Sequence, residues 1–193
     1  FAYPTLLNKV DVVERFIEAD KEGFDAAMVA CSGDPGVAEA QTVTSIPIVG
    51  PMEATMHYAC TFGHRFGIVT VADRSWSEYC DKLVWAAGLR DRLSGIASIA
   101  TPSREAFTRG FEKPEELAHE IEQTAERLVE QGANSVVIGS AGLSVIASTA
   151  GLVQTGSGAP VFDCLSIGLK FAELKAELMR RKAMPPVGPI GFG

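Results

Sequence analysis

Cys31 and Ser140 are the two residues whose types and settings could do chemistry. Cys31 lies in "GFDAAMVACSGD" (Gly23 to Asp34) and Ser140 in "GANSVVIGSAGL" (Gly132 to Leu143). Each stretch runs Gly, any residue, Asp or Asn, a short apolar strand, a small polar residue, one more residue, and Gly. Cys31 and Ser140 each fall eight positions after the leading Gly. A thiol at a Gly-rich strand-to-helix turn has its pKa lowered from about 8.5 toward neutral by the helix N-terminus. The backbone N–H groups of such a turn form a nest that holds a carboxylate without Lys or Arg. Cys31 is thus a candidate general base or nucleophile, with Ser32, Gly33 and Asp34 as the binding nest beside it. The plainer reading is a small buried hydrophobe, the usual fate of a free Cys. The matching position in the second stretch favours chemistry.

Ser140 is followed by Ala141 and Gly142, which offer the same nest. A Ser hydroxyl is a poor acid or base unless a neighbouring base activates it. No His or Lys lies in either turn. Ser140 therefore reads as a catalytic group, as a helix cap, or as a hydrogen-bond donor to substrate. Thr70 ends the strand "RFGIVT" and is a further candidate for substrate contact. Glu53 and Asp163 follow two strands opened by Pro47 and Pro160, and caps are the favoured reading for both. His57 and His119 read as structural, and His64 as a cation ending a helix. Cys60, Cys80 and Cys164 lack a nest and read as core or surface thiols.

The elements that position these residues alternate. In the second half, 65–71 is an apolar β-branched run, 74–88 has helical periodicity, and 94–100 is a strand. Residues 101–114 read as a long loop containing Gly and Pro. Pro114 opens a strong helix that Gly132 ends. Strands at 134–140 and 159–163 and a helix at 165–182 follow. The first half echoes this order: a helix over 10–23 with a Glu-Arg pair like that before Gly132, a strand to Cys31, a short helix after Asp34, a strand at 46–50 and a helix at 53–63. It has no counterpart of 65–100. Duplication therefore predicts a further strand-helix-strand of about 35–50 residues ahead of Phe1.

Such alternation gives parallel sheets covered on both faces. The fold expectation is α/β: two pseudo-symmetric Rossmann- or flavodoxin-like lobes, the first made of 1–64 plus 164–182 and the second of 65–163. Residues 183–193 form an extended Pro/Gly-rich tail. Ligands bind off the carboxyl ends of strands in such sheets. Cys31 and Ser140 would then flank one crevice.

Composition bounds the function. The chain has 193 residues, 47% of them apolar and 21% charged, as in an ordinary globular protein. A net charge of −7 without clustered Lys or Arg argues against nucleic acid or an anionic membrane as partner. Apolar runs are strand-length, so neither a transmembrane segment nor a signal peptide is expected. The four Cys show no CxxC pair and no metal spacing. They read as free thiols in a cytoplasmic protein. No dinucleotide, Walker or zinc signature points to a cofactor or metal. Trp76 and Trp85 read as packing or oligomer contact, and a homo-oligomer is expected.

"GFDAAMVACSGDPG", "IPIVGPMEATMH", "RFGIVTV" and "GANSVVIGSAGL" together resemble the cofactor-independent Asp/Glu/hydantoin racemase superfamily, over about Val10 to Lys182. The "ACSGDPG" turn resembles the hydantoin and allantoin racemase branch. The resemblance implies two lobes with the site between them, and one Cys from each lobe on either face of the substrate carbon. One Cys removes the proton and the other returns it from the opposite side. Cys31 matches the first of these, and Ser140 stands where the second is expected. The resemblance also implies an opening strand with an Asn-Pro-Asn-type substrate turn, which this sequence does not contain. Three explanations of Ser140 compete: an introduced substitution, natural one-sided chemistry, or a hydroxyl that still serves. The related arylmalonate decarboxylase and maleate isomerase are precedents for one-sided chemistry. Some Asp/Glu racemases with Thr for one Cys are a precedent for the last.

The leading expectation is a racemase or isomerase using Cys-based proton transfer beside a carboxylate or cyclic amide. A single-Cys decarboxylase or cis–trans isomerase is the second. A non-catalytic binder of small acids is the third.

Overall fold

The structure is a computed structural model that describes residues 2–185, with side chains from residue 6 onward. Most of the expected extended tail, 186–193, lies outside the described residues. The elements run α1 (Ala2–Glu22), β1 (Ala27–Met28), α2 (Val37–Ala40), β2 (Ile48–Val49), α3 (Pro51–Ala59), β3 (Phe66–Thr70) and α4 (Arg74–Ala86). They continue with β4 (Leu93–Ser98), α5 (Ser103–Glu112), α6 (Pro114–Glu130), β5 (Ser135–Ile138), α7 (Ala141–Thr149), β6 (Val161–Asp163) and α8 (Cys164–Arg180).

All pairings between these strands are parallel. β1 pairs with β2 in a two-stranded sheet, and a four-stranded sheet runs β4-β3-β5-β6. β3 and β5 are buried along their whole length, as expected of continuous apolar runs inside a parallel sheet. Their side chains alternate between faces. Val69, Val136 and Ile138 pack with Leu117, Ile121 and Leu128 of α6 and Leu143 and Ile146 of α7. Ile68, Phe66 and Val137 pack with Met52 and Met56 of α3 and Val84 of α4. α8 returns to pack on α3 and beside β1 and β2.

The internal repeat extends to backbone hydrogen bonds. Gly23 and Gly132 end α1 and α6 with left-handed φ of 82° and 98°. In each case the Gly N–H and the next N–H close the same C-cap: Gly23 to Asp20 and Phe24 to Ala19, Gly132 to Val129 and Ala133 to Leu128. The Ala27 N–H donates to Pro47 O, and the Val136 N–H to Pro160 O, both at 2.9 Å. The C-cap partners and the strand N–H donors are all offset by 109 residues (129 − 20, 128 − 19, 136 − 27). The Glu14-Arg15 and Glu126-Arg127 pairs are offset by 112 (126 − 14), so they sit three residues out of this register.

The expected loop at 101–114 is instead the helix α5 followed by the start of α6. Ala106 and Gly110, four apart, are buried where α5 packs on α6 and α7. Glu105 and Arg109 pair on its outer face. The burial outweighs the presence of Gly110. In the first half, β1 and β2 are only two residues each, shorter than the apolar runs that contain them. At the end of α3, the cation is Arg92 rather than His64. Its guanidinium donates to the carbonyls of Cys60, Gly63 and His64.

Candidate active site

Cys31 follows β1 and is partly exposed. It does not start a helix. The Asp34 N–H donates to Cys31 O at 3.1 Å, closing a tight turn. Asp34 (φ 47°) and Gly36 (φ 73°) are both left-handed, so helical geometry cannot begin before Val37. α2 is then a single turn of four residues.

The three residues after Cys31 are each tied to a different element. Ser32 is 1% exposed, and its Oγ accepts the Ala141 N–H at 3.2 Å. Gly33 O accepts the Tyr79 hydroxyl of α4 at 3.0 Å. Asp34 accepts the Met52 N–H on Oδ1 (3.0 Å) and the Glu53 N–H on Oδ2 (2.8 Å). Its carboxylate thus caps α3 from outside. Gly50 makes room for it, since a Cβ there would lie 2.6 Å from the carboxyl. Burial pushes the Asp34 carboxyl up to about 7, while the two backbone donors pull the other way. Glu53 is the recipient of this cap rather than its source. In the second half Asp163 caps α8 itself, accepting from Leu165 and Ser166 N–H.

Ser140 is the N-cap of α7 and is 5% exposed. Its Oγ accepts the Leu143 N–H at 3.4 Å. The preceding Gly139 carbonyl accepts from Trp76 Nε1 (2.8 Å) and Thr70 Oγ1 (3.3 Å). Thr70 is fully buried, so its hydroxyl supports the turn. Phe107 of α5 lies over Gly142, where an added Cβ would collide with its ring.

The structure therefore brings the two sequence-matched turns into direct contact. Ser32 and Ala141, each next to the residue of chemical interest, are hydrogen-bonded to one another. Ala141 and Gly142 form the first turn of α7, whose nine residues direct N–H groups and the positive end of a helix dipole toward this junction. Asp34 and Thr70 make backbone hydrogen bonds that shape the turns. Trp76 and Tyr79 were not singled out as site residues by sequence. They lie three apart on α4, which Asp73 caps directly after β3, and that placement is the available signal.

The thiols differ in setting. Burial pushes Cys80 up to about 11 and Cys164 up to about 12, and raises Cys60. Among the described residues, no group of three or more His, Cys, Asp or Glu is placed to hold a metal ion. No helix among them is long and apolar enough to cross a membrane.

A family model described as Asp/Glu/Hydantoin racemase matches residues 4–172. The chain is 32% identical over 181 residues to a hydantoin racemase of Pseudomonas sp. (strain NS671), covering 93% of this chain and 69% of that protein. Its fold matches the allantoin racemase from Klebsiella pneumoniae with a TM-score of 0.74 at 25% identity, over 90% of this chain and 67% of that one. The allantoin racemase from Pseudomonas fluorescens matches with a TM-score of 0.72 at 24% identity, over 93% and 72%. The chain thus spans roughly two thirds of the length of these relatives. From its sequence and its fold alike, the chain belongs to the Asp/Glu/hydantoin racemase family, on the side of the hydantoin and allantoin racemases.

Proposed function

We propose that this protein is a racemase that moves a proton at a carbon next to a cyclic-amide carbonyl, on a hydantoin- or allantoin-like substrate. The observation that carries the reading is the hydrogen bond from the Ala141 N–H to Ser32 Oγ. It joins equivalent positions of the two halves, directly beside Cys31 and Ser140. The site lies between two lobes, 1–64 with 164–182 and 65–163. The relatives supply the substrate class.

Cys31, as thiolate, takes the proton from the ring carbon that bears the substituent. The electron pair of that C–H bond moves toward the adjacent carbonyl, whose oxygen gains negative charge. The first turn of α7 suits that charge, through the Gly142 N–H and, once Ser32 yields it, the Ala141 N–H. Return of a proton from the opposite face inverts the carbon. Ser140 stands on that face. Its hydroxyl is far less acidic than a thiol, so the two faces are mismatched. Removal and return on the Cys31 face is fast, and inversion is slow. These steps are acid–base transfers and call for no cofactor.

The test is deuterium exchange at the ring carbon of a 5-substituted hydantoin in D2O, followed by NMR. Exchange must occur and must vanish in Cys31→Ser. Retention of exchange in that variant overturns the assignment. One observation favours a second reading, one-sided chemistry by a single Cys as in a decarboxylase or cis–trans isomerase: the Ser140 Oγ accepts from Leu143 N–H as a cap. Loss of CO2 from an arylmalonate, or isomerisation of maleate, without hydantoin exchange selects it. Binding with no turnover of any of these selects a non-catalytic binder.

A further inference from the structure

α4 touches both turns with two side chains: Trp76, which the sequence reads as packing or oligomer contact, and Tyr79, which carries no reading there. Trp76 and Tyr79 are three apart, so they share one face of the helix. Their rings stack at 5.6 Å and 28°. Trp76 Nε1 donates to Gly139 O at 2.8 Å, just before Ser140. The Tyr79 hydroxyl donates to Gly33 O at 3.0 Å, two residues after Cys31. A Cβ on Gly33 would lie 3.2 Å from the Trp76 ring, 3.3 Å from the Tyr79 ring and 3.6 Å from Cys31 Sγ. The Gly33 backbone is therefore seated on the aromatic pair, on the side where the thiol also lies.

We infer that Trp76 and Tyr79 are positioning residues: one stacked aromatic plate that fixes the Cys31 turn and the Ser140 turn relative to each other. The inference rests on the reading that these turns flank the substrate. Two turns from different halves need a common reference if two proton-transfer groups are to face one carbon. The plate supplies it from one rigid helix, with one polar hydrogen directed to each turn. Burial raises the Tyr79 phenol, which keeps it a neutral O–H donor. Gly139 O also accepts from Thr70 Oγ1, so loss of the Trp76 donor leaves that buried carbonyl partnered. The Trp76→Phe change therefore tests position without stranding a buried group.

The test uses Trp76→Phe and Tyr79→Phe, which keep an aromatic ring and delete the donor. Two readouts are taken. One is the pH profile of Cys31 alkylation by iodoacetamide, which needs no substrate. The other is deuterium exchange and inversion, measured separately for each enantiomer of a 5-substituted hydantoin. In Tyr79→Phe the Cys31 alkylation profile shifts and the rate changes at least about threefold. Its kcat for exchange falls about 10–100-fold with little change in KM, as expected for an ångström-scale misplacement. In Trp76→Phe inversion falls more than exchange, because the Ser140 side is the one displaced. Should Trp76→Phe fail to fold, the indole N–H of Trp76 is followed by 15N NMR in the unaltered protein. It must exchange with solvent more slowly than that of Trp85, whose residue is 65% exposed, and shift when the hydantoin is added. Equal alkylation profiles and equal kcat in the two variants overturn the inference. So does a loss that is the same for both enantiomers and tracks thermal stability, and so does a Trp76 indole that exchanges as fast as that of Trp85. If the unaltered protein exchanges no hydantoin, the proposed function fails, and the alkylation profile of Tyr79→Phe still decides the positioning role.

Discussion

Ser32 Oγ accepts a hydrogen bond from the Ala141 backbone N–H at 3.2 Å. The two residues occupy the same place in the two halves, nine positions after Gly23 and Gly132. The contact therefore runs between equivalent points of the repeat, and it puts the residue after Cys31 against the residue after Ser140.

This bond can be removed from either end. Ser32→Ala deletes the acceptor. Ala141→Pro deletes the donor at the first position of α7, where Pro is compatible with a helix and the preceding Ser140 is extended (φ −152°, ψ 125°) as Pro requires. A double-mutant cycle by chemical denaturation should give a coupling of about 0.5–1.5 kcal/mol. Strictly additive losses would mean that the two turns are not joined in solution.

Thiol reactivity should rank by setting. Cys80 and Cys164 are fully buried, and burial raises both along with the partly exposed Cys60. Iodoacetamide near pH 7 should label Cys31 first, read by peptide mass spectrometry, and a bound hydantoin should slow that labelling. Faster labelling of Cys60 would remove the support for Cys31 as the proton-carrying group.

Asp34 should leave a pH signature. Its folded-state pKa is raised from 3.8 to about 7, so between these values the folded protein binds more protons than the unfolded chain. Stability contributed by Asp34 is then present below about pH 4 and is lost as pH rises toward 7. The slope for one such proton is at most about 1.4 kcal/mol per pH unit. Asp34→Asn should flatten that part of the stability profile, measured by urea unfolding from pH 4 to 8. An unchanged slope would assign the pH dependence elsewhere.

Much of this arrangement was legible in the sequence because it is periodic or local. The buried runs of β3 and β5, the C-cap glycines and the Asp163 cap follow from short-range patterns. The repeat gave Cys31 and Ser140 their equivalence. What the sequence hid was tertiary. α5 was concealed by its Gly and flanking Pro residues, and only packing on α6 and α7 makes it a helix. The short helix expected after Asp34 is there, but the left-handed Asp34 and Gly36 hold its start to Val37, so Cys31 does not sit at the helix start. Asp34 reads as part of an anion nest, yet its carboxylate reaches α3, eighteen residues away. Nothing local marks Tyr79 as a partner of Gly33, forty-six residues earlier.

The central claim is that Cys31 and Ser140 serve opposite faces of one carbon, with unequal acidity. The most direct measurement is racemisation of a 5-substituted hydantoin by Ser140→Cys, with deuterium incorporation followed for each enantiomer. A thiol on the second face restores a matched pair, and a general acid or base contributes about 10²–10⁴-fold. Inversion should rise by that order while exchange on the Cys31 face stays near its original rate, and Cys31→Ser should abolish both. A folded, ligand-binding Ser140→Cys protein with no gain in inversion would contradict the account and leave Ser140 as the cap of α7 alone.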